Sequence, residues 1–290
     1  MVGVPGQGYP AGSALFLLSS EAGTPAAALA GPFLALEAAG VLVAFASVAG
    51  GPAQILLAGG QVLELPYPKG LTGENPEAAA QIEADVMAQL DAAGEPEGPV
   101  REFLGDPGTL ERLQRCMALR HAFGVSGVSF DGIYVPPGEG ALGDLAACER
   151  ARVIIANMVS WRKPVAVAGE GLGLLLGVQK AGGDDPLQED RTGEPVLKGL
   201  RVCDFGPAKW SARDAPPGLG GSGGLSVGEQ ILAEGARKEV GAPGKEPPCT
   251  VVRDGTVLTA CGAGDAPEFT EALKTLLLTY RDEAAASPFI

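Results

Sequence analysis

The start of the chain carries the pattern that most restricts its fold: two apolar runs flank a helical segment within residues 13–47. The runs, SALFLLS at 13–19 and VLVAFAS at 41–47, have the length and composition of buried strands. Between them, Thr24-Pro25 predicts the start of a helix and Gly40 its end, with a bend at Pro32. A strand, a helix and a strand in this order favour a parallel sheet.

The remainder of the chain continues this alternation. Strands are predicted at 130–135 and 164–168, an extended segment at 196–205, and a hairpin at 250–253 and 256–260 around Asp254-Gly255. Helices are predicted at 76–90, 106–119, 142–159, 171–179, 226–240 and 267–280. The predicted fold class is therefore α/β, a three-layer sandwich of flavodoxin-like topology with a mostly parallel central sheet and helices on both faces.

We expect a single domain at 13–285, because no charge block or long linker divides this part of the chain. Residues 1–12 are rich in glycine and proline and are expected to form a flexible segment. Loop insertions are expected near 50–75, 181–195 and 205–224, since these stretches are also rich in glycine, proline or polar residues.

The charge balance restricts the partners of the protein. With a formal net charge of −14, the chain repels phosphate backbones and anionic membrane surfaces, so we expect it to bind neither nucleic acid nor membranes. Apolar stretches are broken before they reach the roughly 20 residues of a membrane span. A protein partner with a basic surface stays compatible with this charge.

The cysteines and the histidine restrict the chemistry. The five cysteines are odd in number, widely spaced and without a CxxC pair, which argues against a disulfide framework or a zinc site and indicates a reducing, cytoplasmic compartment. We expect no metal and no cofactor. The chain has one histidine, His121.

Three segments together resemble one group of proteins. They are GTPAAALAGPFLALEAAGVLVAFASVAGG at 23–51, FDGIYVPPGEGALGDLA at 130–146 and KPVAVAGEGLGLLLG at 163–177. They resemble the PfpI superfamily, which has the class I glutamine amidotransferase-like fold and includes the parkinsonism-associated deglycase. The resemblance is best to the glyoxalase III type heat-shock chaperones, and the segment VVRDGTVLTACGAGDAPEFTEALKTLL at 251–277 agrees with that branch. It covers about residues 13–280 and implies the same fold.

The resemblance also implies where a catalytic site would lie. In the superfamily, the turn after a central strand has the sequence A-V-C-H-G-P, and the start of the next helix lowers the pKa of its cysteine. Here the matching residues are Val167 to Gly171, with Gly169 at the cysteine and Glu170 at the histidine. A shift of the alignment does not restore a nucleophile, because 163–182 contains no Cys, Ser or Thr.

Two further features of the family site are altered. The glutamate of the first helix corresponds to Ala27 or Ala28, and the G-G-H-G turn corresponds to 137–140, where Glu139 replaces the histidine. We therefore predict that the site is vestigial and holds no catalytic residue. Its predicted residues are Gly138, Glu139, Gly140, Gly169, Glu170 and Gly171.

Alternative roles exist for some of these groups. Glu139 and Glu170 form either a carboxylate pair for acid–base work or two solvated loop side chains, and we favour the second. The glycine-rich turns contain acidic residues and lack the G-x-G-x-x-G spacing, so turn geometry explains them better than a phosphate site. Cys261 is the candidate for a reactive thiol, although core packing is the preferred interpretation.

Three hypotheses for function remain. The first is an inactive relative of these enzymes, a structural or protein-binding subunit in a larger assembly such as a cytoskeletal or ciliary complex, and the resemblance adds a homodimer as a possible state. The second is a glyoxalase-like, deglycase-like or hydrolytic enzyme with relocated groups, namely Glu139 and Glu170 or Cys261. The third is a sensor that keeps the pocket for a small molecule. We favour the first, so we expect the protein not to be an enzyme.

Overall fold

A computed structural model describes residues 12–65, 76–124, 127–128, 130–181, 191–203, 227–239, 251–262 and 266–286. The predicted flexible segment therefore lies outside the described residues except for Gly12, and the loop insertion at 205–224 lies wholly outside them. Of the other two predicted insertions, 50–65 and residues 181 and 191–195 are described.

The described strands number fifteen and most are short. They are β1 Ser13–Leu18, β2 Thr24–Pro25, β3 Leu42–Ser47, β4 Ile55–Leu56, β5 Met117–Ala118, β6 Phe123–Gly124, β7 Gly127–Val128, β8 Gly132–Val135, β9 Val165–Ala168, β10 Gln179–Ala181, β11 Arg191–Pro195, β12 Arg201–Cys203, β13 Arg237–Glu239, β14 Val251–Asp254 and β15 Val257–Ala260.

The described α-helices number eight. They are α1 Ala26–Ala38, α2 Pro76–Ala93, α3 Pro99–Gly105, α4 Pro107–Gln114, α5 Leu119–Ala122, α6 Glu149–Ser160, α7 Val227–Ala233 and α8 Pro267–Ala286. A π-helical turn at Ala141–Leu145 and two 3₁₀-helices at Ala58–Gly60 and Gly169–Leu175 complete the helical segments of the described residues. None of the described helices is long and apolar enough to cross a membrane.

The central sheet has seven strands in the order β14-β15-β9-β8-β1-β3-β5. Only the edge strand β14 runs antiparallel to its neighbour, and the other pairs are parallel. The parallel register places Ala260 of β15 beside Ala168 of β9, and Val167 of β9 beside Val135 of β8. The predicted α/β class with a mostly parallel sheet is therefore confirmed.

Two apolar layers cover the two faces of this sheet. One joins the sheet to α1, α2, α3, α4 and α8, and its centre is a group of aromatic rings in edge and tilted contacts, in which the Tyr134 ring lies 5.0 Å from Phe16 and 5.3 Å from Phe269. The other joins the sheet to α5, α6, α7 and the 3₁₀-helix that follows β9. Because the inner strands are apolar on both faces, both layers exclude water from the sheet.

The first helix begins one residue later than Thr24-Pro25 predicts. Pro25 occupies the N-cap position of α1, and with Thr24 it forms β2, which pairs with β4. The helix contains Pro32 and ends two residues before Gly40, whose φ of 76° is the left-handed conformation expected after a helix end.

Two predicted helices near the carboxyl edge of the sheet are wrong in part. The segment predicted at 142–159 is divided into the π-helical turn and α6, with the backbone of Gly143 away from helical values. The segment predicted at 171–179 is a 3₁₀-helix that ends at Leu175, and Gln179 begins β10. Gly171 explains part of this, because a β-carbon there would lie 2.8 Å from the carbonyl oxygen of Val135. The segment lies too close to the sheet for ordinary helix packing.

Two other predicted helices end early. The helix predicted at 106–119 ends at Gln114, since Cys116 then pairs with Gly51 and 117–118 joins the sheet as β5. The helix predicted at 226–240 ends at Ala233 and is followed by β13.

The predicted loop at 181–195 and extended segment at 196–205 also need correction. Ala181 ends β10, and 191–195 forms β11, which pairs with β10 in antiparallel fashion. In the described part of this segment, 196–199 form turns and 201–203 form β12.

Candidate functional site

The carboxyl ends of the parallel strands lie along one edge of the sheet. There β1 is followed by Ser19, β8 by the turn at 136–140, β9 by Gly169 and β15 by Cys261. From β1 the chain adds β3 and then β5 on one side, and it later adds β8 on the other side of β1. The order of the strands therefore reverses between β1 and β8. In open α/β sheets ligands bind at such a point, which makes this edge the candidate site.

Gly169 forms a sharp turn between β9 and the 3₁₀-helix. Its φ of 47° is in the left-handed region, which costs side-chain-bearing residues about 1–2 kcal/mol. A β-carbon at this position would lie 2.9 Å from Cβ of Pro137 and 3.2 Å from the carbonyl oxygen of Gly262. The first distance is shorter than real carbon contacts. The turn therefore has the backbone of a nucleophile elbow, while Pro137 occupies the space where a side chain would begin.

Glu170 turns its carboxylate toward the turn after β8. Its Oε2 accepts a hydrogen bond of 2.9 Å from the amide of Gly138. Glu170 is half-buried, and no ion pair joins it to another described residue. A backbone donor that would be available to a ligand is thus occupied by the chain itself.

Beyond the carboxyl ends of β1 and β8, the segments that follow the two strands contact each other directly. Ser19 is buried, and its hydroxyl donates to Oδ1 of Asp144 at 2.7 Å, while Oδ2 of Asp144 accepts from the amide of Ser20 at 2.6 Å. A β-carbon at Gly140 would lie 2.1 Å from Cβ of Ser19, so only glycine fits there. Ser19 is held inside the structure as a structural group and is not exposed as a nucleophile.

Glu139 is exposed on the turn, whereas Glu170 is directed to the Gly138 amide. The structure brings Glu170 to the neighbouring turn, but it records no contact between the two carboxylates. In the described parts of the chain, no group of three or more His, Cys, Asp or Glu side chains could hold a metal ion.

His121 lies far from this edge position. It is exposed on α5, immediately after β5, and accepts a hydrogen bond from Nε of Arg120. Since β8, β1 and β3 separate β5 from β9, four strand spacings of about 4.8 Å place it about 19 Å away along the sheet. An imidazole at that distance cannot act on a group at Gly169.

Cys261 borders the turn at Gly169. It directly follows Ala260, the register partner of Ala168, and the next residue supplies the carbonyl oxygen near Gly169. The side chain is half-buried and packs against the apolar layer that contains α6. This packing agrees with a core role.

The remaining described thiols are placed elsewhere. Burial raises the pKa of Cys116 to about 12, and its Sγ lies 3.3 Å from the carbonyl oxygen of Leu113, so this thiol stays protonated. Cys203 is buried beside Thr259, and its amide donates a hydrogen bond to the Thr259 hydroxyl. Cys148 is half-buried at the N-cap of α6.

At the positions that match the family's glutamate, the first helix has alanines. Ala27 is exposed and Ala28 is buried, and the carbonyl oxygen of Ala28 accepts a hydrogen bond of 3.0 Å from the Tyr134 hydroxyl. The helix thus contributes a structural contact to β8 at this position.

Sequence reasoning missed two contacts that define the site. The ring of Pro137 fills the space next to Gly169, a contact that its position in the sequence does not predict. The contact of Asp144 with Ser19 joins residues 125 positions apart, and no local pattern announces it. As built, the site offers no thiol at the elbow and no open amide at Gly138.

The fold is similar to that of several solved structures. The chain matches the Rapid Encystment Protein 24 KDa of Francisella tularensis with a TM-score of 0.60 and 15% identity, covering 92% of this chain and 99% of that one. It matches glyoxalase III of Candida albicans with a TM-score of 0.57 and 16% identity, covering 93% and 98%. A ThiJ/PfpI domain protein of Brachyspira murdochii gives 0.50 and 14%, covering 94% and 99%.

No protein-family model and no curated protein matches the sequence. The structural similarities extend over nearly the whole of each chain, but their identities are low, so they establish the fold. The expected resemblance to the PfpI superfamily is confirmed at that level.

Proposed function

We propose that this chain, which has the fold of the PfpI superfamily, is a pseudoenzyme that serves as a protein-binding or structural subunit. The observation that carries the proposal is the turn at Gly169, where a left-handed glycine stands at the nucleophile position and Pro137 occupies the space of a β-carbon. A covalent intermediate needs a side chain at this place.

Two independent features support the same conclusion. The Gly138 amide, which could stabilise an oxyanion, is bound by the carboxylate of Glu170. The single histidine lies beyond three intervening strands and cannot serve as a base. Three separate parts of the site differ from those of an active enzyme, which argues against a single altered residue within working machinery.

The partner is best sought among proteins with a basic surface. The net charge of −14 would steer such a protein toward this one and repel nucleic acid. The sequence insertions near 50–75 and 205–224, together with the residues that connect β10 to β11, supply candidate recognition segments on a rigid scaffold. A cytoplasmic assembly, cytoskeletal or ciliary among others, is the setting we propose, with a homodimer as an additional possible state.

Affinity purification of the tagged chain from its native cells tests this proposal. We expect a protein at stoichiometric amounts, equally with wild-type and Glu170→Gln baits, because the interaction does not use the pocket. Binding between the two purified proteins should then be seen by sedimentation and should weaken with salt. Baits that recover no stoichiometric partner, even at low ionic strength, would count against the subunit role.

A second candidate function is an enzyme with relocated chemistry. It is favoured by the position of Cys261, which borders the Gly169 turn from the neighbouring strand. This hypothesis predicts an activity that Cys261→Ala or Glu170→Gln abolishes. An activity that is unchanged in both variants, or absent from the wild type, ends it.

A further inference from the structure

The amide of Gly138 belongs to a turn that the surrounding structure holds in place. Gly138 has a φ of 132°, and its carbonyl oxygen accepts a hydrogen bond of 3.0 Å from the amide of Ala141. A β-carbon on Gly138 would lie 3.1 Å from Cδ of Pro25. The preceding residues, Pro136 and Pro137, are both buried. These contacts fix the direction of the amide without any help from Glu170.

Among the described residues, the carboxylate of Glu170 accepts from this amide and forms no ion pair. The 2.9 Å bond from the Gly138 amide has the usual length of an N–H···O hydrogen bond, and hydrogen bonds to a carboxylate are stronger than those to a neutral acceptor. Glu170 follows Gly169, so its backbone position is set by the turn after β9. The turn after β8 therefore supplies the amide donor of Gly138, and the turn after β9 supplies the Glu170 carboxylate that accepts from it.

We propose that the Gly138 amide is a binding position for small carboxylates, and that the Glu170 side chain is its built-in occupant. A free carboxylate takes this position when Glu170 is shortened. The tethered group acts as an intramolecular competitor, with an effective concentration on the order of millimolar or more, and a free carboxylate must exceed it to bind the wild-type protein. The inference concerns binding only and holds whether or not the protein is a pseudoenzyme.

Selective labelling makes the Gly138 amide observable. Five glycines follow a proline in the sequence, namely Gly6, Gly108, Gly138, Gly218 and Gly244. Protein labelled with ¹³C at the proline carbonyl and ¹⁵N at glycine therefore gives five signals in a carbonyl-filtered amide spectrum. Loss of a charge-assisted bond moves an amide proton upfield, so the state of Gly138 can be read directly.

The experiment compares wild type with Glu170→Ala, Glu170→Gln and the control Glu139→Gln, which changes an exposed acid on the same turn. Relative to the wild type, we expect one of the five signals to move upfield in both Glu170 variants and none of the five to move upfield in the Glu139→Gln control. Sodium acetate, titrated against equal sodium chloride, should return that signal toward its wild-type position in Glu170→Ala. The wild type should need at least tenfold more acetate for any response.

Three results would overturn the proposal. The five signals could all be unchanged in the Glu170 variants, which would mean that the bond does not exist in solution. Acetate could have no effect beyond chloride in Glu170→Ala, or, if that variant does not fold, in Glu170→Ser, which is shortened in the same way. Finally, wild type and variant could respond to acetate alike, which would mean that Glu170 does not occupy the position.

Discussion

Replacement of Gly169 by alanine tests whether the turn after β9 has room for a side chain. The turn at Gly255 provides a matched control, since its φ is 59° against 47° at Gly169, and a β-carbon there would meet nothing within 4 Å. Both substitutions impose a left-handed alanine, which costs about 1–2 kcal/mol, offset by about 0.4–1 kcal/mol from the stiffer unfolded chain.

Only Gly169→Ala also places a β-carbon 2.9 Å from Cβ of Pro137. Overpacking of this kind costs about 1–3 kcal/mol. We therefore expect Gly169→Ala to lower the free energy of unfolding by about 1–3 kcal/mol more than Gly255→Ala. Urea denaturation of both variants measures this difference, provided that the dependence on urea is unchanged.

A double-mutant cycle with Pro137→Gly identifies the cause. Removal of the Pro137 ring should recover about 1–3 kcal/mol of the penalty at Gly169 as a coupling energy. The reasoning is refuted if Gly169→Ala costs no more than Gly255→Ala within about 0.5 kcal/mol, or if the cycle shows no coupling.

Three further substitutions have expected effects on stability. Arg162, which follows α6, has a φ of 54°, and its amide and the amide of Lys163 donate to the carbonyl oxygens of Val159 and Met158. Arg162→Gly should therefore stabilise the protein by about 0.5–1 kcal/mol in urea unfolding, and no gain would contradict a strained helix end. The Thr270 hydroxyl is buried with no hydrogen-bond partner among the described residues, so Thr270→Val should raise the free energy of unfolding by about 1 kcal/mol in the same assay. The control Thr275→Val, on the exposed side of α8, should leave it unchanged, and equal effects of the two substitutions would refute this. Burial raises the pKa of Glu234, although the hydrogen bond from the Gly177 amide and the charge of Arg152 both act to lower it. Protonation of this carboxyl therefore favours the folded state, and that contribution to stability is lost as the pH rises through the folded pKa. Glu234→Gln should therefore be more stable than wild type at pH 7, by less than about 1 kcal/mol because the group is half-exposed, and the gain should vanish below about pH 4; a less stable variant at pH 7 would contradict the sign.

The strands that form the centre of the fold could be predicted because their sequences are locally unambiguous. The apolar runs that became β1, β3 and β9 are short and lie between glycine, proline or polar residues, which favours buried strands over helices. The Asp254-Gly255 pair likewise predicted the β14–β15 hairpin, whose register pairs Asp254 with Val257.

The errors have a common physical cause in contacts made by distant residues. The helix predicted at 106–119 ends early because Cys116 pairs with Gly51, and the helix predicted at 171–179 is a 3₁₀-helix in which Gly171 lies against β8. Helix α3 was missed because its seven residues are too few to establish a helical period. Local propensity cannot anticipate such packing.

The candidate site shows the same division. The absence of a cysteine at Gly169 and of a histidine at Glu170 is visible in the sequence alone. The contacts of Pro137 with Gly169 and of Glu170 with Gly138 join residues 32 positions apart, so only the structure shows that the empty position is filled and the donor occupied.

The proposal that this protein carries no thiol chemistry is tested most directly by a turnover assay. Purified protein is incubated with excess methylglyoxal, and lactate is quantified for wild type and for Cys261→Ser. The account predicts no product beyond the buffer control in either sample. Multiple turnovers by the wild type that disappear in Cys261→Ser would contradict it.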